Sequence, residues 1–173
     1  MENTDKPLVN RVAASGLITI NLEEFLPEGE VLPFDLKDYL FMGLILKEKD
    51  FRTALDEHDW KKYEGKNLAV FCSADAIIPL WAYMLVVRHA APFARLVLQC
   101  TPADFEKLAV QNAISKVDFK KYEGKRVVIK GCGDKEVPAF AYAEFTRNLL
   151  PLAQSILYGE PCSTVPIFKK AKD

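Results

Sequence analysis

Four short apolar runs punctuate the chain from residue 68 onward. Leu68-Ala69-Val70-Phe71, Leu96-Val97-Leu98-Gln99, Val127-Val128-Ile129 and Ser155-Ile156-Leu157-Tyr158 are brief and mostly β-branched or aliphatic, a pattern that predicts strands. The stretches between them carry a different period. Ile77 to Ala91 is apolar on nearly all sides, and Val137, Ala141, Phe145 and Leu149 recur at every fourth position, as on a helix face packed against a sheet. Pro79 and Pro138 are expected in the first turns of these helices, where a missing N–H costs nothing. Thr101 as N-cap, Pro102 as first helical residue and Asp104 near the positive end of the dipole predict another helix.

Strands that alternate with helices imply parallel pairing and right-handed crossovers. The expected fold class is therefore α/β, a three-layer sandwich with a mostly parallel sheet whose strands are apolar because both faces are covered. The segment before this alternation reads differently. Gly16 to Leu22 alternates, Pro27-Glu28-Gly29-Glu30 forms a turn and Glu30 to Leu36 returns, which predicts an antiparallel N-terminal β-hairpin extending an edge. Phe41 to Leu55 is expected to be helical and to join the hairpin to the rest.

An internal repeat organises the chain. Lys61-Lys62-Tyr63-Glu64-Gly65-Lys66 recurs as Lys120-Lys121-Tyr122-Glu123-Gly124-Lys125, an offset of 120 minus 61, or 59. The same offset pairs Asp59 with Asp118, Asp75 with Asp134, Pro79 with Pro138, Ala82-Tyr83 with Ala141-Tyr142 and Arg88 with Arg147. We read a duplicated unit within one α/β domain spanning 1–173: an N-terminal extension 1–44, repeat one 45–100, repeat two 101–159, and a C-terminal loop and tail 160–173.

Composition narrows the function classes. Of 173 residues 50% are hydrophobic and 27% charged, as in a globular protein with a sizeable core, and a formal charge of -1 offers no basic excess for a polyanion. Nucleic acid and membrane partners are not expected. Ala76 to Val87 is too short to span a bilayer, and Met1 to Asn10 lacks the apolar core of a signal peptide, so a cytoplasmic location is expected. No GxGxxG or GxxxxGK[ST] motif occurs, so no nucleotide cofactor is expected.

Cysteines carry the candidate chemistry. Cys72, Cys100, Cys132 and Cys162 lie without any CxxC pair, yet each falls at or just beyond the end of a predicted strand. In a parallel sheet those ends share one edge, where open α/β folds bind ligands. Cys72 and Cys132 open loops that also carry Asp75 and Asp134, and Cys162 stands between Pro161 and Pro166 in a stiffened loop. Three thiolates with a carboxylate suit zinc, iron or an iron–sulfur cluster, which makes Cys72, Cys132, Cys162, Asp75 and Asp134 the candidate metal ligands. A second reading makes Cys162 a low-pKa nucleophile of a sulfur transferase or thiol reductase. The plainer alternative is that the cysteines are small core residues, the aspartates helix caps, and the protein a non-catalytic scaffold. Cys100, whose repeat mate is Gly159, is the weakest candidate; His58 and His89 read as packing residues, and Tyr83 and Tyr142 as core.

Pro7 to Ala13 with Ser15 to Ile18, Gly43 to Arg52, Cys72 to Ile77, Val127 to Cys132 and Gly159 to Ile167 together resemble DUF2480, a family of bacteroidete bacteria. The resemblance covers nearly the whole chain and implies a bacterial cytoplasmic protein, with Cys72, Cys132 and Cys162 inside the family's motif stretches and Cys100 outside them. It also implies an association with sulfur-mobilising iron–sulfur assembly, whose proteins are the expected partners. The leading expectation is thus a protein that binds a transition metal or iron–sulfur species as an accessory of iron–sulfur or metal metabolism.

Overall fold

The computed structural model describes residues 16–131, 133–160 and 163–171. It is a mixed α/β structure with two sheets, mostly parallel, where the sequence predicts one. Strands β1 (Leu17–Asn21), β5 (Arg126–Lys130), β6 (Ser155–Glu160) and β7 (Ser163–Lys169) form one sheet in that order, and β2 (Val31–Asp35), β3 (Asn67–Phe71) and β4 (Leu96–Gln99) form the other. Every pairing is parallel except that of β6 with β7. Four α-helices occur among the described residues: α1 (Glu48–Glu57), α2 (Leu80–Ala90), α3 (Phe105–Ser115) and α4 (Ala139–Leu149).

The chain divides into two compact units. One runs from Pro27 to Asn112; the other, split in sequence, takes the residues up to Leu26 and those from Ala113 onward. This division explains why the predicted hairpin does not form. β1 pairs parallel with β5 and β2 parallel with β3, so the two runs enter different sheets. Alternation fixes which face of a strand is buried but not its partner, and here each strand runs on into a 3-10 turn rather than a hairpin loop. Asn21 accepts from the Glu23 amide at 3.3 Å and Asp35 from the Lys37 amide at 3.0 Å, starting the turns Leu22–Phe25 and Leu36–Tyr39.

The predicted helix over Phe41 to Leu55 is also shorter than expected. Residues 41–45 instead close a tight turn, in which the Phe41 amide donates to the Ile45 carbonyl at 2.7 Å and Met42 and Gly43 have φ of 52° and 72°. A left-handed pair cannot continue a helix, so α1 begins only at Glu48. Pro79 and Pro138 sit one residue earlier than predicted, in extended conformation immediately before α2 and α4.

The repeated hexapeptide has a physical meaning. Asp59 and Asp118 each accept the amide two residues on at 3.1 Å, with backbone angles of -75°, 92° and -76°, 93°. Gly65 and Gly124 then turn the chain into β3 and β5 at φ of 70° and 67°, a region that a side chain disfavours. Lys62 and Lys121 lie over the rings of the tyrosines that follow them, each 4.9 Å from the centroid.

In the 27–112 unit β3 is buried on both faces. Leu68 and Val70 pack with Phe34, Phe51, Leu55, Ala82 and Val86, whereas Ala69 packs with Cys100, Phe105 and Ala109. The first cluster contains an aromatic group: Trp60 stacks on Phe34 and His89 and donates its indole N–H to the Leu55 carbonyl at 2.7 Å. In the split unit Val127, Val128, Ile129, Phe145, Leu149 and Ile156 are buried, with Phe145 edge-on to Phe25 and Phe119.

Candidate functional site

Cys72 and Cys100 follow the last residues of β3 and β4, as the strand pattern predicts, and both line one cleft at the carboxyl edge of the β2–β3–β4 sheet. The cleft holds about 580 Å³ and takes its remaining walls from Phe71, Tyr83, Gln99, Thr101, Asp104, Lys107 and Gln111 among others. Asp104, Lys107 and Gln111 fall at successive three- and four-residue spacings from the start of α3, so they share its cleft-facing side. The Thr101 hydroxyl donates to Asp104 at 2.6 Å and accepts the Asp104 amide at 3.3 Å, which fixes this carboxylate at the head of the helix.

The two thiols differ. The register pairs Val70 with Gln99, so Cys72 belongs to the face of Val70 and Leu68, and Cys100 to the opposite face with Ala69. They reach the cleft from the two sides of the sheet. Cys100 is 7% exposed, and burial followed by the Asp104 carboxylate pushes its thiol above the ordinary range. Cys72 is half-buried and makes one weak contact, donating to the Ala74 carbonyl at 3.6 Å. Tyr83 lies beside it, its phenol pushed up by burial and then by the Cys72 charge. Cys72 is therefore the more available thiol.

The loop after Cys72 is held by Asp35. This carboxylate, already capping the turn after β2, accepts the Ser73 amide at 3.0 Å and the Ser73 hydroxyl at 2.6 Å. Burial raises the Asp35 carboxyl, but the Ser73 and Lys37 hydrogen bonds together outweigh it and hold the group below its ordinary value. In the split unit the loop after β5 is tied by a different residue, Glu23, which accepts the Gly133 amide.

Of the sequence-predicted metal ligands, Cys72 and Asp75 lie in the 27–112 unit and Asp134 in the split unit, while Cys132 and Cys162 fall outside the described residues. Asp75 and Asp134 are exposed and cap neither α2 nor α4, which have no side-chain cap. Among the described residues no three of His, Cys, Asp and Glu are grouped to hold a metal ion.

Linear motifs place Cys100 lowest and give Lys107 and Gln111 no role. The signal that finds them is Asp104, Lys107 and Gln111 on one side of the helix following Cys100. His58 is more than the packing residue its sequence context suggests, for its ring nitrogens lie 3.3 Å from the Tyr39 hydroxyl and 3.0 Å from that of Tyr63. Burial, with Lys62 adding to it, holds the His58 imidazole below its ordinary value.

The offset of 59 sets Cys72 against Gly131 and Tyr83 against Tyr142. Where Cys72 has a side chain, Gly131 leaves room for Tyr142 to donate to the Gly131 carbonyl at 3.0 Å. The matching strand ends thus carry different chemistry.

Among the described residues no helix is long and apolar enough to cross a membrane. No curated protein and no solved structure matches the chain. The family described as protein of unknown function (DUF2480) matches residues 6–170, nearly the full length, and the chain belongs to that family.

Proposed function

We propose that the protein is a cytoplasmic thiol-dependent protein that works at the carboxyl edge of β2–β3–β4, with Cys72 as acceptor of sulfane sulfur or partner in thiol exchange. One observation carries this reading: the half-buried Cys72 opens onto a polar cleft that also presents Lys107 and Asp104, whereas its neighbour Cys100 is buried with a raised pKa. A cleft with one cation and one anion suits a small zwitterionic sulfur compound. In the transfer step the Cys72 thiolate attacks the outer sulfur of a persulfide R–S–SH. The inner S–S bond breaks, R–S⁻ leaves, and Cys72 carries the persulfide, so no external oxidant is needed. Incubation with cysteine persulfide and intact-mass analysis is the test. Addition of one sulfur atom to wild type and not to Cys72→Ser is expected, and equal addition to both would refute the reading.

A second reading keeps the metal. It is favoured by Asp75 and Asp134, which follow β3 and β5 at matching positions and have no capping role to account for them. Together with Cys72, Cys132 and Cys162 they are donor types that suit zinc, iron or an iron–sulfur cluster, which would be delivered to or received from iron–sulfur assembly proteins. Bound zinc, iron and acid-labile sulfide per chain after anaerobic purification, lost in the three cysteine-to-serine variants, is its expected result. Metal-free protein would count against it.

We also infer that the two units arose by duplication and diverged at their edges. The near-identical caps at Asp59 and Asp118 and the matched order of turn, strand, helix and strand support this. On this reading each unit keeps a strand, helix and parallel strand in that order, while one edge retains a polar thiol cleft and the other becomes apolar.

A further inference from the structure

We propose that the split unit carries a second binding site, an apolar pocket for a neutral, compact aromatic molecule. It occupies about 370 Å³ beside the carboxyl ends of β5 and β6, within the range of roughly 300–1,000 Å³ for small-molecule sites. Ala139, Tyr142 and Thr146 supply the helical wall from α4, and Ile129, Tyr158 and Ile167 the strand wall. Among the described residues no charged one lines it, so a charged ligand would lose its hydration without compensation from them.

Three features build the pocket. Ala139 and Thr146 lie two turns apart on α4, and the residues matching them in the other unit are Leu80 and Val87. Ala139 withdraws the volume that the leucine fills, and Thr146 keeps the volume of the valine while exchanging a methyl for a hydroxyl. Gly131 lies against two of the lining residues: an added Cβ would meet the Tyr142 hydroxyl and lie 3.1 Å from Val137, so only glycine lets both approach. The Tyr142 and Tyr158 rings, 5.8 Å apart at 73°, meet edge to face and leave a corner into which a third ring can pack in the same manner. The Tyr142 hydroxyl is already donated to Gly131, so ring faces and methyl groups make most of the wall, with the Thr146 hydroxyl beside them. Tyr158 and Ile167 remain 38% and 52% exposed, apolar surface that such a ligand would cover.

Indole is a suitable probe. Titration into full-length protein with methyl-labelled isoleucine should give saturable shifts at Ile129 and Ile167. Ala139→Leu, which installs the residue of the other unit, should weaken binding at least about tenfold without lowering Tm, since it fills rather than disrupts the pocket. Thr146→Leu, which fills the pocket two turns further on, should act in the same direction and serves if the first variant does not fold. Absence of saturable shifts up to the solubility limit, shifts confined to other isoleucines, or unchanged affinity in the filled variants would overturn the proposal. So would a concentration-dependent dimer that indole does not dissociate, because the pocket would then be a contact between copies.

Discussion

Asp35→Ala tests whether the loop carrying the Cys72 edge is held as the geometry describes. The Asp35 side chain is 13% exposed and receives three hydrogen bonds, from the Lys37 amide, the Ser73 amide and the Ser73 hydroxyl. Loss of a capping oxygen costs about 1 kcal/mol, and a hydrogen bond to a charged group contributes about 1.5–3 kcal/mol when shielded. The Ser73 donors lie near solvent and regain water, so the combined cost should be about 2–3 kcal/mol rather than the full sum. Because the folded carboxyl titrates below its unfolded value of 3.8, its stabilisation is present above about pH 4 and is lost as pH falls through the folded pKa. Urea unfolding at neutral pH, with amide exchange at Ser73 and alkylation of Cys72, measures these effects. The variant should lose the stated stability, exchange faster at Ser73, and converge with wild type in acid. A loss below about 0.5 kcal/mol with unchanged Ser73 exchange would refute the assignment of Asp35 as the anchor.

The other expectations are as direct. His58 titrates below 6.5 when folded, so the unfolded chain takes up the proton first; stability should fall as pH drops below about 6.5 and level off once the folded form also protonates. Tm against pH should show this slope, and His58→Gln should flatten it; an unaltered slope would assign it to other groups. Gly131→Ala should cost about 1–3 kcal/mol by forcing Tyr142 and Val137 apart, a value that thermal unfolding can read, and full stability would contradict the close approach. Cys100→Ser should destabilise by about 1–2 kcal/mol, because its hydroxyl replaces a thiol among Ala69, Phe105 and Ala109, while Cys72→Ser should change stability by less than about 0.5 kcal/mol. Urea unfolding of the two variants measures the difference, and equal losses would contradict the contrast in burial.

The strands and the helices after them are legible in the sequence because their signals are local: apolar runs for β3 to β6, a four-residue period for α4, and the Thr101-Pro102 start. Pairing is not. β1 and β2 flank a real turn, with Gly29 at φ of 89°, and only their long-range partners β5 and β3 decide that they do not pair with each other. The arrival of Cys72 and Cys100 at one edge follows from strand ends alone. Their approach from opposite faces does not, since it depends on the register of Val70 with Gln99. The role of His58 is hidden in the sequence because its partners Tyr39 and Tyr63 lie on separate turns that only the folded unit brings to its ring.

The central claim is that Cys72, not Cys100, is the working thiol of the polar cleft. It is tested most directly by the rate at which iodoacetamide labels each cysteine in the native protein between about pH 6 and 9, a range that brackets ordinary thiol ionisation, read by peptide mass spectrometry. Cys72 should react readily and Cys100 should stay protected until urea unfolds the chain, and after prior reaction with cysteine persulfide the label on Cys72 should sit on one additional sulfur atom and be released by dithiothreitol. Comparable native rates at the two thiols, or an inert Cys72, would contradict it.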